Sequence, residues 1–239
     1  ARMNKNPFPE PCKYDDVLTF LAEEVRCQLI EFLDVCMDAD DGQAVQQFVH
    51  HLPVLCGMLG RAATDPNPDM KIKTARFAGR LSAALGKTVG PYFKSTVDGL
   101  VGNLSHQHSK VRKQTLIGLK DVLGCKGAEP FFEGATMEQL KFTMNDRSND
   151  VRAQFYEVLF HWMQVVEINY LRAYEPNFLQ FLLNGIGEKE HNVGPKCIKF
   201  IEEHGNRMKE ALIALGEEKE DASMEASSQQ KDDDALELS

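Results

Sequence analysis

An all-α solenoid of about four to five helical pairs, followed by a disordered acidic C-terminal tail, is the fold class this sequence predicts. Three observations predict it. First, four stretches repeat: "MKIKTARFAGRLSAAL" (70–85), "SKVRKQTLIGLKDVLG" (109–124), "NDVRAQFYEVLFHWMQ" (149–164) and "HNVGPKCIKFIEEHGN" (191–206). Aligned on Ile72, Val111, Val151 and Val193, they recur at intervals of 39, 40 and 42 residues, the period of two-helix HEAT or armadillo repeats. Second, the stretches between them also correspond. "GPYFKSTVDGLVGNLS" (90–105), "AEPFFEGATMEQLKFTMND" (128–146) and "YEPNFLQFLLNGIGEK" (174–189) each carry a proline near the start, an aromatic residue after it and an apolar stripe behind. Third, no segment alternates apolar and polar residues over the length of a strand, so a sheet has no support.

The elements follow in order. Residues 1–13 read as an irregular N-terminal segment, and the solenoid is expected over 14–215. "YDDVLTFLAEEVRCQLIEFLDVCM" (14–37) has helical periodicity, and the Asp- and Gly-rich "DADDG" (38–42) ends it. "GQAVQQFVHHLPVLCGMLGRAAT" (42–64) is expected as one helix, the first of the repeat containing Ile72. Each later repeat is then a first helix opened by its proline, a short polar turn and a second helix. Proline suits a first turn because the N–H it lacks has no intrahelical partner there. The second helices set Val111, Leu116, Leu119 and Leu123, or Val151, Phe155 and Leu159, on one face. Residues 216–239 hold little apolar content; from 217 onward they carry nine acidic side chains against two basic ones. Such a segment cannot bury enough surface to offset the entropy of ordering it, so it reads as a solubilising tail or an acidic docking tail.

Composition narrows the function classes. With 239 residues and 43% hydrophobic side chains the chain can build a substantial core. The net charge of −9 lies mostly in the tail, leaving the body near neutral. Six scattered cysteines without a C-x-x-C, and no signal peptide, point to free thiols in a reducing compartment, cytosolic or nuclear. No apolar run approaches a membrane span. The chain does not begin with Met, which suggests a processed, truncated or excised chain.

The turn "SHQHSKVRKQ" (105–114) poses the sharpest question, because two histidines and three bases suit a metal pair, a phosphate patch or a helix start. Ser105, Gln107 and Ser109 are turn and N-cap types, as are Asn149 and Asp150 one repeat later. The repeat register turns Val111 inward. The residue after each aligned apolar position is a base in three repeats, Lys73, Arg112 and Arg152, and Gly194 in the fourth. Such a column forms an inter-repeat ladder with acids such as Asp146 and Asp150, or meets a partner. His106, His108, Lys110, Arg112, Lys113, Arg147 and Arg152 are therefore the candidate partner-binding edge. The ladder and core positions are Ile72, Lys73, Val111, Arg112, Val151, Arg152 and Val193. Two histidines two apart lack the third and fourth ligands of a zinc site, so no metal or other cofactor is expected. Lys71, Lys73, Arg76, Arg80, Lys110, Arg112, Lys113 and Lys120 give nucleic-acid binding some basis, but a near-neutral body and no stacking or zinc-finger motif favour a solvated basic face. There is no G-x-S-x-G, phosphate loop or H-E-x-x-H. The repeated His-Glu pairs of the di-iron HEAT enzyme deoxyhypusine hydroxylase are also missing. No enzyme is predicted. Cys197 reads as a core thiol and Trp162 as inter-repeat packing with a polar tip.

"EPCKYDDV", "EEVRCQLIEFL", "TDPNPDMKIKTA" (64–75), "SHQHSKVR" (105–112) and "FTMNDRSNDVR" (142–152), in that order and spacing, resemble the N-terminal half of the HEAT-repeat dynein axonemal assembly factor family, over roughly residues 10–205. The "SHQH-x-KVR" turn is the most specific piece. The resemblance implies a cytoplasmic, non-enzymatic scaffold in the pre-assembly of dynein arms for motile cilia and flagella. It implies axonemal dynein intermediate and heavy chains and chaperone-linked assembly factors as partners, and a longer solenoid of which this chain would be a part. The alternative is another HEAT adaptor, of the tubulin-binding or nuclear-transport type. Tubulin-binding arrays place a Trp and bases in turns, whereas Trp162 falls inside a second helix.

Overall fold

A computed structural model describes residues 23–38 and 43–214. The expected irregular segment 1–13, the start of the first helix at 14 and the acidic tail 216–239 lie outside the described residues. Within them the chain is helical: α1 (Glu23–Cys36), α2 (Gln43–His50), α3 (Leu52–Ala63), α4 (Pro68–Leu85), α5 (Lys94–Asn103), α6 (Ser109–Leu123), α7 (Ala135–Thr143), α8 (Asn149–Val165), α9 (Ile168–Gly185) and α10 (193–214). Helices α1, α4, α6, α8 and α10 stack as one layer. α3, α5, α7 and α9 alternate with them as the other, so the chain is an α-solenoid of helical pairs.

The apolar periodicity of the second helices explains the core. Leu116, Leu119, Leu123, Val151, Phe155 and Leu159 are buried between the layers, each contributing roughly 1.5–3 kcal/mol of burial. Phe132 meets Trp162 edge-on at 5.1 Å, Phe155 meets Phe181 at 5.4 Å, and Phe160 stacks on Phe200 at 4.2 Å. Aromatic contacts of this kind tie α8 to both layers. Small residues set the spacing. A Cβ on Gly118 would lie 2.3 Å from the Ala75 carbonyl oxygen, and one on Gly99 would lie 2.8 Å from that of Gly60. Only glycine lets α4 meet α6, and α3 meet α5, backbone to backbone.

Three sequence expectations need correcting. The segment 42–64 is two helices: Pro53 cannot continue α2, and α3 restarts at Leu52 with that proline in its first turn. The prolines expected to open the first helices of the later repeats do not do so. Pro91 and Pro130 sit in short 3-10 turns before α5 and α7, while Pro176 lies inside α9, which begins at Ile168. The third shift concerns register. α4 is capped by Asn67, whose side chain accepts from the N–H groups of Asp69 and Met70 at 2.7 and 3.0 Å. Counting from the cap, Met70 and Lys71 are the equivalents of Val111–Arg112 and Val151–Arg152. Ile72 is only half-buried, whereas Met70, Val111, Val151 and Val193 are buried. Lys73 reaches out instead to Glu31 at 3.0 Å.

Candidate partner-binding edge

The turns that precede α4, α6, α8 and α10 share one device. Asp65, His106, Asp146 and Glu188 each accept the N–H of the residue two places on, from Asn67, His108, Ser148 and Glu190, at 2.9, 3.1, 2.8 and 3.4 Å. A short polar side chain that bonds its own backbone this way shapes a tight turn. The acids do a second job. Asp65 holds Arg26 of α1 at 2.8 Å, Asp146 holds Arg112 of α6 at 2.6 Å, and Glu188 holds Arg152 of α8 at 2.5 Å. Every one of these bases belongs to the preceding repeat, so the acid locks its turn and clasps its neighbour together.

Arg112 shows how complete the clasp is. Its Nε and Nη2 donate to the two Asp146 oxygens at 2.6 and 2.7 Å, and Nη1 donates to the His106 and Gln107 carbonyls at 2.7 and 3.1 Å. The geometry is the bidentate fork that suits a guanidinium. Burial pushes the Asp146 carboxyl up, but the Arg112 guanidinium and the Ser148 N–H outweigh it and hold it below the usual range. At Glu188 the Arg152 bond is itself the largest influence, and it too depresses the carboxyl. Arg152 also donates to the Asp146 carbonyl at 2.8 Å and to Asn149 at 2.8 Å. Asp150 takes no part in this ladder; it faces His191 at 3.5 Å.

His106 breaks the column. It stands where the others are acids, and the base facing it, Lys71, turns away to Asn103 Oδ1 at 2.7 Å and the Ala63 carbonyl at 3.1 Å. Burial, then the charge of Lys71, lowers the His106 pKa. With Nδ1 accepting from the His108 N–H, its proton sits on Nε2. The two imidazoles lie 5.3 Å apart, and no group of three His, Cys, Asp or Glu able to hold a metal occurs among the described residues.

The sequence-derived edge thus separates into two sets. Arg112 is buried and Arg152 half-buried, both occupied within the stack. His108, Lys110 and Arg147 are exposed, with Lys113 half-exposed beside Lys110. Arg147 donates to the Gln107 carbonyl at 2.9 Å and bridges the two turns. Two adjoining depressions flank that bridge, one beside His108, Ser109 and Lys110, the other beside Ser105, His106 and Phe142. Phe142 is the residue missed from sequence. It is 71% exposed, in a solvent-facing column that otherwise holds Arg61, Gly102 and Asn184. The signal was present but needed the corrected register. Neither Ser109 nor Asn149 is an N-cap; His108 and Ser148 hold those positions, without side-chain bonds.

Elsewhere the bases singled out from sequence are paired. Arg76 and Arg80 meet Asp34, both at 2.7 Å, and Lys120 lies 3.5 Å from Asp121. Trp162 is fully buried and donates to the Lys120 carbonyl at 3.0 Å. Burial pushes the Cys197 thiol up to about 12, which keeps it protonated. At the last turn Gly194 takes the ladder position, where a Cβ would come 2.7 Å from the Ile186 carbonyl oxygen.

No helix among the described residues is long and apolar enough to cross a membrane. Two solved structures, each described as an engineered protein, superpose with TM-scores of 0.59 and 0.61 at 15% and 16% identity. Each match covers 80% of this chain, and 83% and 46% of the other; the likeness is one of fold. No curated protein matches by sequence. Residues 16–211 match a family model described as dynein axonemal assembly factor 5-like, TPR repeats.

Proposed function

The chain belongs to the dynein axonemal assembly factor 5-like family of helical repeats, and from that premise we propose that it is a non-catalytic scaffold in the cytoplasmic pre-assembly of axonemal dynein arms. Its partners in this reading are dynein intermediate or heavy chains and chaperone-linked assembly factors. The observation that carries the reading is the turn edge. Buried ion pairs fix the turns, and on that fixed base Lys110, His108, Arg147 and Phe142 face solvent together. A rigid base with exposed cations and one aromatic side chain is suited to recognition, since little ordering entropy is lost on binding.

Affinity capture of the tagged chain from cells building motile cilia tests this. Recovery of dynein heavy and intermediate chains, reduced several-fold by Lys110→Glu with Arg147→Glu, is the expected result. Recovery of tubulin or nuclear-transport cargo without dynein subunits would move the protein to the other adaptor class.

A further inference from the structure

Among the described residues, Lys110, Lys113 and Arg147 of the edge form no ion pair. Lys110 and Lys113 have no carboxylate within ion-pair distance among the described residues, and Arg147 bonds only the Gln107 carbonyl. Of the nearby acids, Asp146 is enclosed by Arg112, and Asp150 lies 3.5 Å from His191 of the next turn. Next to this cationic depression lies the second one, with Phe142 as an exposed apolar wall. The edge therefore presents positive charge and an apolar step side by side.

One segment of this chain has the matching order. "KDDDALELS" (231–239) places three consecutive aspartates two residues ahead of Leu236 and four ahead of Leu238. We infer that residues 231–239 dock on the turn edge in cis, Asp232–Asp234 against Lys110, Lys113 and Arg147, and Leu236 and Leu238 against Phe142.

The reach suffices. Helix α10 starts at this edge and carries the chain away from it, about 33 Å over residues 193–214 at 1.5 Å per residue. Two helix spacings of 8–10 Å separate α10 from α6, making the return path roughly 40 Å. The 17 residues from 215 to 231 stretch to about 56 Å at ~3.3 Å each. Tethering then supplies an effective concentration no free acidic peptide matches unless it binds much more tightly. The segment would compete with the partners assigned above to this edge, so the inference rests on that reading for its consequence and not for its test.

Two measurements on the purified full chain decide it. Zero-length carbodiimide coupling followed by peptide mapping is expected to join Lys110 or Lys113 to Asp232–Asp234 in the monomer, independently of protein concentration. A fluorescent 231–239 peptide should bind at least tenfold tighter to the D232N/D233N/D234N chain than to the unaltered one, because the unaltered edge is already filled. Phe142→Ser and Lys110→Glu, both at exposed positions, should each weaken that binding several-fold with helicity unchanged. Equal peptide binding to both chains, or coupling of the aspartates to other lysines, overturns the inference. Coupling found only in a dimer would assign the edge to a second copy and overturn docking in cis. No dynein subunit enters these assays, so failed dynein capture beside positive coupling would refute only the scaffold reading.

Discussion

His106 occupies the ladder position at which Asp146 holds Arg112, and the base it faces, Lys71, has turned to Asn103. One junction of the stack thus carries an imidazole where its neighbours carry carboxylates, and this makes the junctions experimentally separable.

The His106 site should give a pH-dependent stability of definite sign. Its folded pKa lies below the ordinary value of 6.5, through burial and then Lys71. The favourable contribution is complete above about 6.5 and is lost as pH falls through the depressed value. His106→Gln should flatten the loss of stability measured by urea unfolding between about pH 7 and 5. His161 is lowered in the same direction by its own burial, so the comparison must be between the two chains and not against a flat line.

Removing one partner of the enclosed ion pair should be costly. Asp146→Asn keeps the acceptor for the Ser148 N–H but strands the Arg112 charge, with side-chain exposures of 6% and 7% in the pair. A loss of roughly 3–5 kcal/mol in chemical denaturation is expected. Replacing both residues with apolar ones of similar size should recover much of it.

Two glycine-to-alanine changes should act with opposite signs. Gly118→Ala drives a Cβ toward the Ala75 carbonyl and forces α4 from α6, costing about 1–3 kcal/mol. Gly102→Ala adds a Cβ with nothing within 4 Å on a helix surface, so it should stabilise by about 0.5–1 kcal/mol. Paired thermal melts read both.

Thiol labelling should follow burial. Cys56 and Cys197 are buried with thiols pushed up to about 12, whereas Cys36 is half-exposed at the end of α1. Among these three, Cys36 should react first with a maleimide under native conditions, and the other two only as the fold opens.

Helix content, repeat period and the inward face of the second helices were legible because each rests on a local periodicity that survives packing. Val111, Phe155 and Trp162 lie where pattern places them. Register at α4 was not, because Ile72 and Lys73 imitate an apolar–basic pair two residues from the real one, and only the Asn67 cap distinguishes them. Pro176 misled for a related reason: a proline normally marks a boundary, yet packing of α9 tolerates one inside it. The double duty of Asp65, Asp146 and Glu188 was hidden because a side chain bonding its own backbone and a distant base leaves no spacing signature in either.

The close approach of α4 and α6 through Gly118 falls at the junction where the clasp is missing. That joint is held by close contact and by the Ser82 hydroxyl donating to the Asp121 carbonyl at 2.8 Å, while α1–α4, α6–α8 and α8–α10 carry charge pairs. Ionic strength screens exposed charge pairs strongly, buried ones much less, and apolar contact not at all. Raising salt should therefore loosen first the end seams, where Lys73 meets Glu31 and Lys196 meets Glu157 at the surface, and leave the enclosed Arg112–Asp146 clasp and the middle seam the last to yield.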